Sequence, residues 1–166
     1  AYNTQAWLCL GQSDNAGGIA MAEKAVAVAQ HFEAEEELPR LYEVLGLCWL
    51  YVDRGRGVAH LERSLALALQ IDHATRAANI YSNLSSILVD FHQFKQAEAL
   101  FAQGVPFAAE RDLDSIVTFM EGWQAILQVH RGQWSLAADT AQAAIQRPAP
   151  SPGRGPALLA LGRLRT

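Results

Sequence analysis

The 166-residue sequence predicts an all-α solenoid built from stacked helix pairs, and three observations predict it. β-Branched and aromatic residues never alternate with polar ones over a useful length, whereas Ala, Leu, Glu and Gln recur at helical spacing nearly everywhere. Eight short breaks rich in Gly, Pro, Asp and Ser divide the chain into about nine helices. A pattern of large, large and small residues also recurs: Trp7-x-x-Leu10-Gly11, Tyr42-x-x-Leu45-Gly46-x-x-Trp49, Tyr81-x-x-Leu84-Ser85-x-x-Leu88, Met120-x-x-Trp123-Gln124-x-x-Leu127 and Leu158-x-x-Leu161-Gly162. Its small position falls at 11, 46, 85, 124 and 162, so the intervals are 35, 39, 39 and 38 residues. A period of this length is the signature of a repeat architecture, in which no single unit can bury both of its faces alone.

The elements follow in order. A first marker helix around Trp7 to Gly11 is followed by a break at Ser13 to Gly18 and a second helix from Ile19 to Phe32. The next break, Glu35 to Pro39, opens the second pair. Pro39 suits a first helical turn and the acidic run suits the positive end of a helix dipole, so the run reads as a solvated helix start and not as a docking patch. After the helix around Tyr42 to Trp49, Asp53-Arg-Gly-Arg-Gly57 reads as a turning loop in preference to an anion nest, and Val58 to Gln70 as the partner helix. The third pair lies between breaks at Ile71 to Ala74 and Arg111 to Asp114, divided at Phe91 to Phe94, with Lys95 to Ala109 as its second helix. Asp114 is a good N-cap for the fourth pair, which is divided at Arg131 to Trp134 and closes with Ser135 to Gln146. The expected organisation is one domain with repeats at 1–36, 37–73, 74–112 and 113–148, a Pro-rich loop at 149–156 and a truncated fifth helix at 157–166. Beginning at Ala1 without Met and ending inside a helical pattern, the chain reads as a piece of a longer protein.

Composition narrows the function. With 13 Lys plus Arg against 17 Asp plus Glu, the chain lacks the basic footprint of a nucleic-acid binder. Cys9 and Cys48 lie in apolar runs, as reduced and core-packed thiols of a cytoplasmic protein do. No run reaches the ~20 apolar residues of a membrane span, and the first residues lack the basic and then apolar pattern of a signal peptide. Neither a Gly-x-x-x-x-Gly-Lys loop nor a Gly-x-Gly-x-x-Gly turn occurs, so no cofactor is expected. His31, His60, His73, His92 and His130 lack ligand spacing, so no metal is expected; His92 and His130 read as partners of helix-end carbonyls. Ser82, Ser85, Ser86, Cys9 and Cys48 sit in no nucleophile motif, which points to a binding module and not to an enzyme. Trp7, Trp49, Trp123 and Trp134 read as packing residues.

The markers resemble the tetratricopeptide repeat, W-x-x-L-G-x-x-Y followed by A-x-x-x-F-x-x-A. Trp7, Leu10 and Gly11 match its first half, and Tyr42, Leu45, Gly46 and Trp49 match it with aromatics exchanged. Ala97 and Phe101, and Ala137 with Thr140 or Ala141, echo its second half. The period is longer than the usual one, and Ser85 and Gln124 stand where Gly is customary. The segments His60-Leu-Glu-Arg-Ser-Leu-Ala-Leu-Ala, Arg76-Ala-Ala-Asn-Ile-Tyr-Ser-Asn-Leu-Ser-Ser and Glu110-Arg-Asp-Leu-Asp-Ser are similar to the repeat region of large bacterial LuxR-type transcriptional regulators. In those, the region lies between an ATP-binding module and a helix-turn-helix domain.

The resemblance implies a right-handed α-α superhelix of about four helix pairs and a partial fifth, whose first helices line a concave groove. On the marker register the groove-facing candidates are Gln5, Leu8 and Gln12; Arg40, Glu43, Leu47 and Leu50; Asn79, Ser82, Asn83, Ser86 and Val89; and Thr118, Glu121, Ala125 and Gln128. It further implies a regulatory module that senses a protein or peptide partner, or other domains of its own parent chain, without binding nucleic acid or membrane itself. A stand-alone adaptor that binds peptides in its groove is the other reading. Arg40 alone among the candidates is basic, which disfavours a clamp for a C-terminal carboxylate. Leu158, Leu161 and Leu164 form an apolar stripe through which two copies could pair.

Overall fold

The computed structural model describes residues 1–148 and 151–165, the side chains of Ser151 and Pro152 excepted. Among the described residues there are nine α-helices and no strand: α1 (Tyr2–Gly11), α2 (Asn15–His31), α3 (Leu38–Trp49), α4 (Arg54–Gln70), α5 (Ala74–Asp90), α6 (Phe94–Ala109), α7 (Asp114–His130), α8 (Trp134–Gln146) and α9 (Gly155–Leu164). Short 3-10 turns at Glu35–Glu37 and Ser151–Arg154 precede α3 and α9. The second helices of the four pairs begin at Asn15, Arg54, Phe94 and Trp134, 39, 40 and 40 residues apart. The starts of the second helices therefore keep a more even period than the sequence markers do.

The chain forms two compact units, Ala1–Ile80 and Tyr81–Thr166. In the first, α1 packs on α2 and α3, α2 on α3, and α3 on α4. In the second, α7 is the central helix, touching α6, α8, α9 and the 3-10 turn before α9.

Several helix starts differ from the expected breaks. Asp14 and Asp53 lie immediately before α2 and α4, and each accepts a first-turn N–H on its carboxylate, from Gly17 at 2.9 Å and Arg56 at 3.1 Å. Such a cap is worth about 1 kcal/mol. It draws Gly17 and Gly18, and Gly55 and Gly57, into helix, so Asp53 to Gly57 is a capped start and not a turning loop. Asp114, expected as a cap, is instead the first residue of α7, where its charge meets the helix dipole, and Leu113 precedes it without a side-chain cap. The described part of the expected loop 149–156 is a 3-10 turn and the start of α9, because Pro156 falls in the first turn, where its missing N–H leaves nothing unpaired. Residues 149–150 and 166 lie outside the described residues.

One turn recurs in six of the connections. Ser13, Glu33, Asp72, His92, Asp112 and Gly132 all have positive φ, between 54° and 71°. The N–H of the following residue donates to the carbonyl five positions back: Asp14 to Cys9 (2.9 Å), Ala34 to Ala29 (2.9 Å), His73 to Ala68 (2.9 Å), Gln93 to Leu88 (2.8 Å), Leu113 to Ala108 (3.0 Å) and Gln133 to Gln128 (2.9 Å). This is a Schellman closure, which satisfies carbonyls that the helix end would leave open. Glycine occupies the left-handed position only at 132; elsewhere a side chain bears the strain, about 1 kcal/mol at each.

Alanine is the commonest residue of the core. Ala6, Ala22 and Ala68 in the first unit, and Ala97, Ala108, Ala125, Ala137, Ala141, Ala144, Ala157 and Ala160 in the second, have no exposed surface. Larger side chains fill the spaces between these close approaches: Val44 and Leu61 in the first unit, Phe101, Met120 and Ile126 in the second. Gly122 marks the tightest contact of α7 with α9, since a Cβ there would lie 2.6 Å from the backbone N of Ala157. Not every expected packing residue is inside: Trp49 and Trp123 are half-buried, while Trp7 and Trp134 are exposed. Cys48 is buried as expected, whereas Cys9 is half-buried.

The turn geometry predicts opposite effects at two equivalent loop positions. Asp72→Gly should raise the unfolding free energy by about 0.5–1 kcal/mol, and Gly132→Ala should lower it by about 1 kcal/mol or more. Urea denaturation of the two variants beside the parent chain checks both signs.

Candidate functional site

The first helices carry the expected site residues, and the structure places them unequally. Gln5, Leu8 and Gln12 are exposed on or just after α1. In α3, Arg40 is half-buried and bonded to Glu37 one turn earlier. Glu43 is 4% exposed and accepts from Arg76 Nη1 of α5 at 2.9 Å. A carboxylate this far out of water requires such a partner, and removing the arginine would leave a buried charge. Leu47 on the same helix and Leu50 just after its end are half-buried.

Along α5, Asn79 and Asn83 are half-buried one turn apart, while Ser82, Ser86 and Val89 are buried. The Ser86 hydroxyl donates to the carbonyl of Asn83 at 2.8 Å, and that of Ser85 to Ser82 at 3.2 Å. These hydroxyls are engaged with their own helix, which accounts for small polar residues at packing positions. Burial, and then the neighbouring Cys9, push the Cys48 thiol pKa up, which disfavours the thiolate a nucleophile needs.

In α7, Thr118 and Ala125 have no exposed surface and Gln128 is 7% exposed. Neither Thr118 Oγ1 nor Gln128 Oε1 has a hydrogen-bond partner among the described residues. Glu121 is bound by both Nε and Nη2 of Arg147 at 2.7 Å, a forked pair of the strong kind. Arg147 holds its proton more firmly for it; the hydrogen bond to Glu121 is the main cause. Its backbone carbonyl in turn accepts from Arg154 Nη2 at 2.9 Å.

The register of α7 differs by one residue from the sequence marker. Ser85 lies seven residues before the left-handed residue His92, and Ala125 lies seven before Gly132; both are fully buried. Ala125, not Gln124, is thus the small position of the fourth pair. Glu121 then takes the place of Tyr81, and Arg147 that of Phe107. Tyr81 meets Phe107 with ring centroids 5.7 Å apart. The same two sites, 26 residues apart in each pair, hold an aromatic contact in one and an ion pair in the next. Arg76 and Arg147 escaped sequence reasoning because their partners are distant in the chain. Alignment on helix starts, with a 40-residue shift, would have exposed the second.

Two histidines are tied into their surroundings. His60 of α4 stacks on Tyr42 of α3 at 5.9 Å, and burial first, with Arg56 second, lowers its pKa, while Glu23 opposes them. His130 contacts Phe94 and His92 at 5.6 and 5.2 Å, and its Nε2 lies 3.3 Å from Arg163 Nη1. Burial, Arg163 and His92 lower its pKa against the pull of Asp90. The rings of His92 and His130 thus form an aromatic cluster with Phe94. Among the described residues no three His, Cys, Asp or Glu side chains are grouped to hold a metal ion, and no helix is long and apolar enough to cross a membrane.

No protein-family model matches the chain, and no curated protein matches it in sequence. Its fold is similar to that of the Rap conjugation gene regulator of the plasmid pLS20, solved in complex with the Phr* peptide. The TM-score is 0.71 at 15% identity, over 88% of this chain and 41% of that one. The chain therefore spans about two-fifths of that regulator's length. The likeness is one of fold: both are tetratricopeptide-like helical repeats.

Two measurements follow. A lowered His60 pKa means that the unfolded chain binds more protons than the folded one below about pH 6.5, so stability is full near pH 7 and falls as the pH is lowered toward 5. His60→Gln should flatten part of that fall in denaturation curves taken across the range. Arg147→Met should cost about 1–2 kcal/mol, because it leaves Glu121 half-buried without its partner. The double change Glu121→Tyr with Arg147→Phe, which installs the pair of the preceding repeat, should recover most of that loss.

Proposed function

We propose that this chain is a regulatory interaction module that binds an extended peptide segment of a protein partner on the exposed edge of α5. The observation that carries the reading is the polar edge of α5, where Asn79 and Asn83 stand half-exposed one turn apart. A carboxamide offers both a donor and an acceptor, which suits the alternating backbone groups of an extended peptide. The fold likeness to a regulator solved with a peptide bound supports the same class of partner. Binding is favoured over catalysis by the serines that are buried and engaged with their own helix and by the raised pKa of Cys48. The saturated pairs Arg40–Glu37 and Glu43–Arg76 favour a partner recognised through its backbone and apolar side chains over one held by a terminal carboxylate.

The finer reading is that the module belongs to a LuxR-type transcriptional regulator, in which it would relay partner binding to ATPase and DNA-binding parts. The segments His60 to Ala68, Arg76 to Ser86 and Glu110 to Ser115 support it. A coding sequence with neither a P-loop upstream nor a helix-turn-helix downstream would remove this reading and leave the stand-alone adaptor.

An arrayed library of extended peptides, probed with the purified chain, tests the site. Asn79→Ala with Asn83→Ala should weaken the retained peptides about tenfold, equivalent to roughly 1.4 kcal/mol, with helicity by circular dichroism unchanged. Equal retention by both proteins would reject the α5 assignment.

A further inference from the structure

A second surface, lined by none of the α5 residues, opens on the first unit. The start of α1, the last turns of α2 and the start of α3 enclose a notch of about 240 Å³, lined by Tyr2, Val28, Ala29, Phe32, Ala34 and Leu41 among others. Phe32 is 72% exposed at its edge, with Val28 and Tyr2 at 44% and 43%. The volume lies below the roughly 300–1,000 Å³ of pockets that enclose a small-molecule ligand. It suits one large apolar side chain projecting from a macromolecular partner, the usual form of an interface anchor.

The segment that joins α2 to α3 beside the notch is strongly acidic. Glu33 occupies the left-handed position of the turn that ends α2, and Glu35, Glu36 and Glu37 form the 3-10 turn that follows, all exposed. Glu37 is bonded to Arg40 and itself lines the notch, whereas the other three have no ion-pair partner among the described residues. Residues 25–41 hold four Glu against one Arg, a net charge of −3 with His31 neutral. Negative charge beside an apolar seat repels acidic partners and selects a basic one.

We propose that this notch is a docking site for a basic peptide segment: one Leu, Met or Phe side chain seats against Phe32, Val28 and Leu41, and Lys or Arg on either side meets Glu33, Glu35 and Glu36. The proposal rests on the reading of the chain as an interaction module, but its site is independent of α5.

The test uses fluorescence anisotropy with labelled peptides that carry a central Leu-Phe pair. In one the flanks are Lys; in its counterpart they are Glu. The Lys-flanked peptide should bind at least about tenfold more tightly, and the difference should shrink as salt is raised from about 0.05 to about 0.5 M. Phe32→Ala should weaken it about tenfold, and Glu35→Lys with Glu36→Lys should erase the preference. All three side chains are exposed, so circular dichroism should report unchanged helicity. Equal binding of the two peptides, or undiminished binding by Phe32→Ala, would overturn the proposal. So would a dimer in sedimentation that Phe32→Ala dissociates, since the notch would then belong to a second copy. Binding lost in the Asn79 and Asn83 variant but kept in Phe32→Ala would move the peptide to α5, which rejects the notch and leaves the earlier reading standing.

Discussion

The structure depends on close approach between helices at positions occupied by alanine, glycine or serine. A helix pair whose contact points carry no side chain beyond Cβ can bring its backbones together, and the remaining volume is then filled by a few large residues beside each contact. Gly122 against the first turn of α9 is the extreme case, because the approach there is backbone to side-chain-free backbone. The fully buried alanines of α6, α8 and α9 extend the same arrangement through the second unit. Long-range order in the chain is thus a matter of which positions stay small, while the large residues are free to differ from repeat to repeat.

That freedom explains what could be read from the sequence and what could not. Helical periodicity and the recurring small residue gave the all-α class and the pairing of helices, since both are local or nearly local properties. The register of the fourth pair was misread because Trp123 looks like the large residue of the marker, although Ala125, not Gln124, is the small residue that packs. The turns were harder to see. Only Gly132 advertises a left-handed residue, and Glu33, Asp72 and His92 adopt the same backbone because the Schellman hydrogen bonds hold them there. Asp14 and Asp53 hid their helix starts behind glycines that sequence rules assign to loops.

The candidate site was legible as a set of faces but not as a set of pairings. Asn79 and Asn83 lie one turn apart because helical spacing requires it. Glu43 and Glu121, by contrast, are held by arginines 33 and 26 residues away, and no local pattern reveals a partner at that distance. The notch around Phe32 was invisible for a different reason. It arises where three helix ends meet, and the glutamates beside it look in sequence like an ordinary solvated helix start. The same residues serve both descriptions, since a negative charge that suits a helix dipole also colours the surface beside it.

The exchange of Tyr81–Phe107 for Glu121–Arg147 at equivalent sites gives the second unit two cross-braces of different physical kinds. The aromatic brace draws on the hydrophobic effect, which fades on cooling; the ionic brace draws on charge, which added electrolyte screens. Cold therefore weakens the Tyr81–Phe107 brace, and added salt the Glu121–Arg147 brace. Two equivalent sites in neighbouring repeats thereby answer to different changes of solvent.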